Sequence, residues 1–321
     1  MASGLTHILL TKKLQDKFQD GKLKDILAMC ADSFLVGAIA PDIPYASIAD
    51  NDLIFSNQSF LADKFHYEQT NQIPLQALKE LKSLKGKIEE RTHYHLFSFF
   101  LGYTSHVFAD GIIHPFVRDM VGEYAQNKTE HRTLEMQLDV LFLADLTAKS
   151  GLVSELNYSN IHDELENFAE LDEAAEIIKI FSQLIDNIYD EKFSVKKILG
   201  WIKGLHLLFA VAEGSHPKFF RCSDANTFLY KNLEDIDRDN VITLRKPKDR
   251  VTNFLNRKEV DYFKDVIPQY FAKYVAAAQK AFDFVYEDGP SPDERDIPLI
   301  NLDTGRLFPD NNLDLIPELW K

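Results

Sequence analysis

The sequence predicts an all-α fold. Glycine and proline are sparse, with 13 and 12 in 321 residues. Apolar residues recur every three or four positions over long segments, as at Leu75, Leu78 and Leu81, which is the spacing of one face of an α-helix. The segment LFSFFLGYTSHVF at residues 96–108 is apolar nearly all round, as is typical of a helix buried on every side. These observations favour a multi-helix bundle.

The same periodicity places the helices in order along the chain. They cover about residues 6–18, 22–39, 74–88, 93–113, 131–149, 161–187, 194–210, 224–231 and 257–286. The stretch AIAPDIPYA at residues 38–46 interrupts this series. Its two prolines end the preceding helix and predict a non-helical loop that holds Asp42.

The domain organisation is predicted from the absence of repeats and linkers and from the composition of the C-terminal tail. We find neither an internal repeat nor a low-complexity linker, so we expect one all-helical domain over residues 1–321. It divides into a metal-binding core at 1–149, a helical extension at 150–289 and a C-terminal tail at 290–321. The tail is rich in Leu, Ile and Phe and contains Trp320, which predicts that it docks on the body.

Composition and charge exclude several classes of protein. A chain that is 45% hydrophobic and 27% charged is typical of a soluble globular protein. The formal net charge of −14 argues against stable nucleic-acid binding, because that affinity comes from Lys and Arg that neutralise phosphates. With only Cys30 and Cys222, a disulfide-rich scaffold or a CxxC metal site is excluded. A metal would have to be held by histidine and carboxylate.

Localisation is predicted from the absence of sorting signals. The N-terminal apolar run has no basic segment before it and no small-residue cleavage site after it. No apolar stretch reaches the 18 to 20 residues, roughly, that span a bilayer. We therefore expect a cytoplasmic protein, or a secreted one if a leader has been removed.

The pattern His106-x3-Asp110-x3-His114 is the strongest chemical signal. Four-residue spacing drifts by about 40° per step, so the three side chains share one stripe. The stripe rises about 12 Å, which suits two ions flanking a central carboxylate. With 10 His and 50 acidic residues, about 0.05 such triples are expected by chance. Polar groups in an apolar helix need a metal or a partner, and the alternative is a buried His–Asp hydrogen-bond ladder.

Further candidate ligands lie outside that helix. His131 and Glu135 have the same one-turn spacing, and an exposed i,i+4 pair is an equally good interpretation of them. His7 and His66 are imidazole donors of the kind that zinc prefers, and Asp42 supplies a hard oxygen. Taken singly, each of these three could be an ordinary core or surface residue.

Taken in order, these motifs resemble the zinc-dependent phospholipase C family. The residues that carry the resemblance are His7, the APD motif at 40–42, His66, the FLGYTSHVFADGIIH segment at 100–114 and His131-x3-Glu135. GLTH and SHVFADGIIH look most like the N-terminal catalytic domain of glycosylphosphatidylinositol-specific phospholipase D. The fungal single-strand-specific zinc nucleases are more distantly similar.

The resemblance implies an all-helical fold of the zinc-dependent phospholipase C and zinc nuclease type with two or three zinc ions. It assigns one zinc to Asp42, His66, His106 and Asp110, and a second to His114, His131 and Glu135. A third would use His7, with Asp110 as the bridge. Bacterial members complete this third site with an N-terminal tryptophan, which this sequence lacks. They also place the last histidine of the triple further beyond the aspartate.

The activity expected from the resemblance is phospholipase C-like phosphodiester hydrolysis, with Asp42 as the candidate proton acceptor. The expected substrate is a phospholipid or a small phosphoester, reached through transient contact with a membrane surface. Three alternatives remain: a single-strand nuclease or nucleotidase, a phospholipase D-type cleavage, and a non-catalytic helical protein stabilised by metal. The sequence carries no signal for an oligomeric state.

Overall fold

The computed structural model describes residues 4–49, 58–150, 163–212, 230–246, 248, 259–309 and 312–321. Within these ranges the chain is mainly helical, which confirms the predicted all-α class. The α-helices are α1 (Gly4–Leu14), α2 (Lys22–Met29), α3 (Ala31–Ile39), α4 (Ser59–Tyr67), α5 (Gln72–Leu84), α6 (Glu90–Val121), α7 (Lys128–Ser150), α8 (Asp163–Glu170), α9 (Ala174–Tyr189), α10 (Val195–Ala212), α11 (Arg238–Ile242) and α12 (Ile267–Tyr286).

Shorter elements connect these helices. The 3-10 helices are Ala40–Ala49, Leu233–Asp235 and Glu318–Trp320, and a π-helical turn is formed by Tyr262–Val266. The strands β1 (Thr243–Leu244) and β2 (Val260–Asp261) pair antiparallel, with Thr243 opposite Asp261.

Helix α6 is the centre of the fold. Every residue from His95 to Asp119 is buried, and α3, α5, α7 and α12 all pack against it. A helix that is apolar all round can be stable only when other elements cover every face. The core position predicted for residues 96–108 is therefore confirmed.

By length and composition, α6 could also cross a membrane, contrary to the expectation that no stretch is long enough. Its most apolar window is 100% buried inside the fold, so here it serves as a core helix. Among the described residues, a second candidate arises only if Lys22–Met29 and Ala31–Ser47 are joined, and these are bent by 81° relative to each other.

The crossing of α3 over α6 depends on two glycines. A Cβ added at Gly102 would lie 2.1 Å from the carbonyl oxygen of Phe34, and one at Gly37 would lie 1.9 Å from that of Phe99. Both distances are far below van der Waals contact, so the two backbones approach more closely than any side chain allows. This packing places the C-terminal end of α3 beside the middle of α6.

We expect Gly102→Ala to destabilise the fold by about 3 kcal/mol, because the methyl group meets a backbone oxygen that cannot rotate away. Chemical denaturation monitored by circular dichroism measures the change in the free energy of unfolding. A Gly102→Ala variant as stable as wild type would contradict this close crossing.

Several predicted helix boundaries are wrong. The helix predicted at 22–39 is broken at Cys30, and the described part of the one at 161–187, from residue 163 on, is two helices, α8 and α9. Of the helix predicted at 257–286, residues 257–258 lie outside the described residues, and residues 260–266 form β2 and the π-helical turn instead. Of the helix predicted at 224–231, residues 224–229 lie outside the described residues, and residues 230–231 are not helical.

The non-helical loop predicted around Asp42 is also wrong, because residues 40–49 form a 3-10 helix with Pro44 inside it. Proline fixes φ near −65°, which the 3-10 conformation accepts. Helix α4 was not predicted, since its nine residues show only a short apolar pattern. Helix α6 continues through Pro115 to Val121 instead of ending near residue 113.

The C-terminal tail packs on the body next to α6. Leu302 and Ile300 are fully buried, and the indole N–H of Trp320 donates to the carbonyl oxygen of Ile112 at 3.1 Å. Between α4 and α5, the Thr70 hydroxyl donates to the carbonyl oxygen of Ile300 at 2.7 Å. The division of the chain into one domain with three parts stays a prediction.

Candidate metal centre

Helix α6 supplies the middle of the site. His106, Asp110 and His114 are at most 2% exposed and lie on the stripe that their spacing predicts. The Nε2 atoms of the two histidines are 3.3 Å and 3.4 Å from Asp110 oxygens. The carboxylate therefore sits between the two imidazoles.

Asp110 contacts four imidazoles, two through each oxygen. Oδ1 lies 3.2 Å from Nε2 of His7 and 3.4 Å from that of His114. Oδ2 lies 3.2 Å from Nε2 of His66 and 3.3 Å from that of His106. A carboxylate whose two oxygens each serve a separate set of donors has the arrangement of a bridging ligand.

His66 and His106, which face Oδ2 of Asp110, are spaced like the ligands of a tetrahedral zinc site. Nε2 of His66 is 3.1 Å from Nε2 of His106 and 3.4 Å from Oδ1 of Asp42. With zinc–ligand bonds of 2.0–2.1 Å, ligand atoms in a tetrahedron are about 3.3–3.4 Å apart. The spacing of His66, His106 and Asp110 therefore fits one zinc ion, and the addition of Asp42 to this set stays a prediction.

The ring of His7 stacks on that of His106, with centroids 4.0 Å apart and planes at 12°. Both ring nitrogens of His7 and both oxygens of Asp110 are buried without a conventional hydrogen-bond partner among the described residues. Such buried polar atoms are costly, and metal coordination would satisfy them. His7, Asp42 and His106 are also close enough together to share an ion.

His131 and Glu135, both on α7, are buried at 0% and 4% exposure. Nε2 of His131 is 2.5 Å from the carbonyl oxygen of Gly122, so Nδ1 is the nitrogen with which it could bind a metal. Within the described part of the chain, two tight donor groups are close enough to hold an ion: His7 with Asp42 and His106, and His66 with His106 and Asp110. Neither group includes His114, His131 or Glu135. Their assignment to a second zinc stays a prediction.

In His66 and His106 the ring nitrogen that points away from Asp110, here called the outer nitrogen, contacts a backbone carbonyl oxygen. Nδ1 of His66 is 2.7 Å from the carbonyl oxygen of Ala62, and Nδ1 of His106 is 2.8 Å from that of Ala38. Because a carbonyl oxygen only accepts, each Nδ1 carries a proton, and Nε2 is the nitrogen left to bind a metal. Orientation of this kind accompanies metal-binding histidines.

Each ionisable group in the cluster changes the pKa of its neighbours. Burial disfavours protonated His66, but the carboxylates of Asp110 and Asp42 outweigh burial and raise its pKa to about 10. Burial and the neighbouring His7 lower the pKa of His106. Burial would raise the pKa of Asp110, but His114 and His106 hold it well below its ordinary value. The centre thus offers an ionised carboxylate to a cation.

Side chains that the sequence did not single out surround these residues. Asp303, in the C-terminal tail, lies 3.7 Å through Oδ1 from Nδ1 of His114. The rings of Tyr45 and Tyr67 lie 6.1 Å and 6.4 Å from that of His66, and Tyr124 lies 5.3 Å from His131. Only Tyr67 adjoins a predicted ligand in sequence, so local patterns could not have identified the others.

A family model described as zinc-dependent phospholipase C matches residues 6–213. The chain belongs to the zinc-dependent phospholipase C family. The match includes all eight predicted ligands and stops well before the C-terminal tail. It confirms the family resemblance, whereas the glycosylphosphatidylinositol-specific phospholipase D branch stays a prediction. Neither a curated protein nor a solved structure matches the chain.

Proposed function

We propose that this member of the zinc-dependent phospholipase C family hydrolyses a phosphodiester bond in a phospholipid or a related small phosphoester, using two or three zinc ions. The family match and the donor groups support a zinc phosphodiesterase. The contact of Asp110 with four imidazoles carries the proposal. A phospholipid substrate would also bring the protein into transient contact with a membrane surface.

Zinc bound by these residues would lower the pKa of a coordinated water to about 7 and would neutralise the charge of a phosphoester. The residues of the chain must then position the substrate and accept a proton. The side chain of Asp42 is 10% exposed, whereas that of Asp110 is fully buried. Asp42 is therefore the carboxylate of the His66 set that can pass a proton outward, and we assign it the role of proton acceptor.

A nucleotide or single-stranded nucleic acid is the second candidate substrate. The specific observation in its favour is the set of tyrosines beside the histidines, because aromatic rings stack on nucleobases. Tyr67 is the most accessible of them at 37% exposure. The formal net charge of −14 disfavours long polyanions, so a short substrate fits better.

A product assay tests the proposed function. Zinc-loaded protein is incubated with short-chain phospholipids, a chromogenic phosphodiester and a short single-stranded oligonucleotide. Phospholipase C-type cleavage gives diacylglycerol and a phosphorylated head group, whereas phospholipase D-type cleavage gives phosphatidate and a free head group. If zinc-loaded protein turns over none of these substrates, the proposed enzymatic function is contradicted. The protein would then be a helical protein that metal only stabilises.

We expect Asp42→Asn to lower the rate of hydrolysis by about 10²–10⁴-fold, the usual contribution of a general base. The matched control is Asp25→Asn, the same change on an exposed position of α2, which should keep the wild-type rate. The rates are compared at equal zinc content, measured on the same samples. Equal rates for Asp42→Asn and wild type would rule out the assigned role.

A further inference from the structure

Asp303 lies outside the part of the chain that the family model matches, yet it faces a predicted ligand. Its Oδ1 is 3.7 Å from Nδ1 of His114, while Nε2 of His114 is directed at Asp110. The side chain of Asp303 is 12% exposed. This distance is within ion-pair range and longer than a hydrogen bond. A carboxylate that accepts from the outer nitrogen of a metal-binding histidine fixes the ring and makes it a more basic ligand.

The group that faces the outer nitrogen of His114 differs in chemistry from those that face the outer nitrogens of His66 and His106. His66 and His106 place their outer nitrogens against backbone carbonyl oxygens of Ala62 and Ala38. A carbonyl is neutral, whereas Asp303 is a carboxylate that forms ion pairs with both His114 and Arg118. Among these three histidines, the one on the Oδ1 side of Asp110 therefore has the charged outer partner.

Arg118 holds Asp303 from the other side. It lies one turn after His114 on α6, and its Nη1 forms an ion pair with Oδ2 of Asp303. The two carboxylate oxygens thus face different partners, Oδ1 the imidazole and Oδ2 the guanidinium. This arrangement restricts the rotation of the Asp303 side chain.

The backbone around Asp303 is shaped by a tight turn. The side-chain oxygen of Asn301 accepts hydrogen bonds from the backbone N–H groups of Asp303 at 2.9 Å and Thr304 at 3.1 Å. The N–H of Leu302 donates to the carbonyl oxygen of His66 at 3.1 Å. The turn is therefore joined directly to the helix that carries another predicted ligand.

Two glycines let this turn approach α6. Gly305 has φ +68, and a Cβ there would lie 2.6 Å from the carbonyl oxygen of Gly111. Pro115 has no N–H to donate to that carbonyl. The carbonyl oxygen of Gly111 therefore has no intrahelical hydrogen bond from residue 115 at the point where the turn contacts α6. A Cβ at Gly111 would lie 2.4 Å from Cδ1 of Ile300. The close approach brings Asp303 to the level of His114.

We propose that the C-terminal tail completes the metal centre, with Asp303 as the positioning residue that orients His114 for zinc. The inference rests on the proposed function, because it takes His114 as a zinc ligand. It makes the tail a working part of the site, although the family match ends at residue 213.

The test compares zinc binding by full-length wild type, Asp303→Asn and a control, Asp296→Asn. Asp296 lies in the same tail and pairs with Lys280 away from the cluster. Zinc per chain is measured by elemental analysis, and affinities by titration against a competing chelator. We expect Asp303→Asn to bind one zinc about 10–100-fold more weakly, the usual effect of losing an outer partner, and Asp296→Asn to match wild type.

Two further readouts separate positioning from general weakening of the fold. The visible spectrum of bound Co²⁺ should change in Asp303→Asn but not in the control, because the ligand field at His114 changes. Asp303→Glu should recover part of the lost affinity, since it restores the carboxylate. Thermal unfolding of the zinc-free proteins shows whether each variant is folded.

The outcomes distinguish the two proposals. Wild type that binds no zinc overturns the proposed function and the role of Asp303 with it. Wild type that binds zinc, together with an Asp303→Asn variant of equal affinity and unchanged Co²⁺ spectrum, overturns only the role of Asp303. Weaker binding restored by glutamate supports it.

Discussion

Asp110→Asn is expected to lose bound zinc and, with it, hydrolytic activity. The carboxylate contacts four imidazoles, so an amide removes the negative charge from both sides of the centre at once. The amide nitrogen also carries hydrogens where a ligand lone pair is needed. We expect zinc affinity to fall by more than about 100-fold, beyond the loss typical of an outer partner. Elemental analysis of the purified variant measures the remaining zinc.

The matched control is Asp139→Asn, which makes the same change at another fully buried carboxylate. Asp139 accepts a hydrogen bond from the hydroxyl of Thr6 at 2.7 Å and belongs to neither tight donor group among the described residues. This variant should lose some stability but keep its zinc. An Asp110→Asn protein with the full zinc content would show that Asp110 is not a zinc ligand.

The second large effect is stabilisation by zinc that increases with pH. In zinc-free protein the raised pKa of His66, about 10 against an ordinary 6.5, means that protonated His66 stabilises the fold. This contribution is complete below about pH 6.5 and is lost as the pH rises towards 10. Zinc needs the neutral imidazole, so its binding competes with that proton and strengthens over the same pH range.

The measurement is thermal unfolding with zinc and with chelator at several pH values from about 6.5 to 8.5. At free zinc near 1,000 times the dissociation constant, stabilisation is about 4 kcal/mol. The zinc affinity should rise by about tenfold per pH unit for each proton displaced. His66→Asn should bind zinc more weakly and lose part of this slope. A zinc affinity independent of pH would exclude His66 as a ligand.

The sequence was most informative where the chemistry lies on one regular element. His106, Asp110 and His114 are related by the helical period alone, so their common stripe and the burial of α6 could both be predicted. His7, Asp42 and His66 come from three other elements and had no local signal that joined them. Only the order of motifs in the family resemblance suggested that they belong together.

The remaining features depend on tertiary contacts. Asp303 reaches His114 because a glycine turn fits against α6, and no periodicity links these two parts of the chain. The helix predicted at 93–113 extends further, through Pro115, because a proline removes only one intrahelical hydrogen bond when packing holds both sides. The 3-10 helix at Asp42 was missed because proline excludes an α-helical interior more strongly than it excludes the tighter conformation.

The most direct measurement is the zinc content of wild-type protein purified without chelator or affinity metal, paired with unfolding in excess chelator. Two or three zinc ions per chain, with a marked loss of stability when they are removed, is the result predicted for a centre built around Asp110. A protein that contains no zinc, and is equally stable in chelator, would show that the four histidines and Asp110 form a buried polar network without metal.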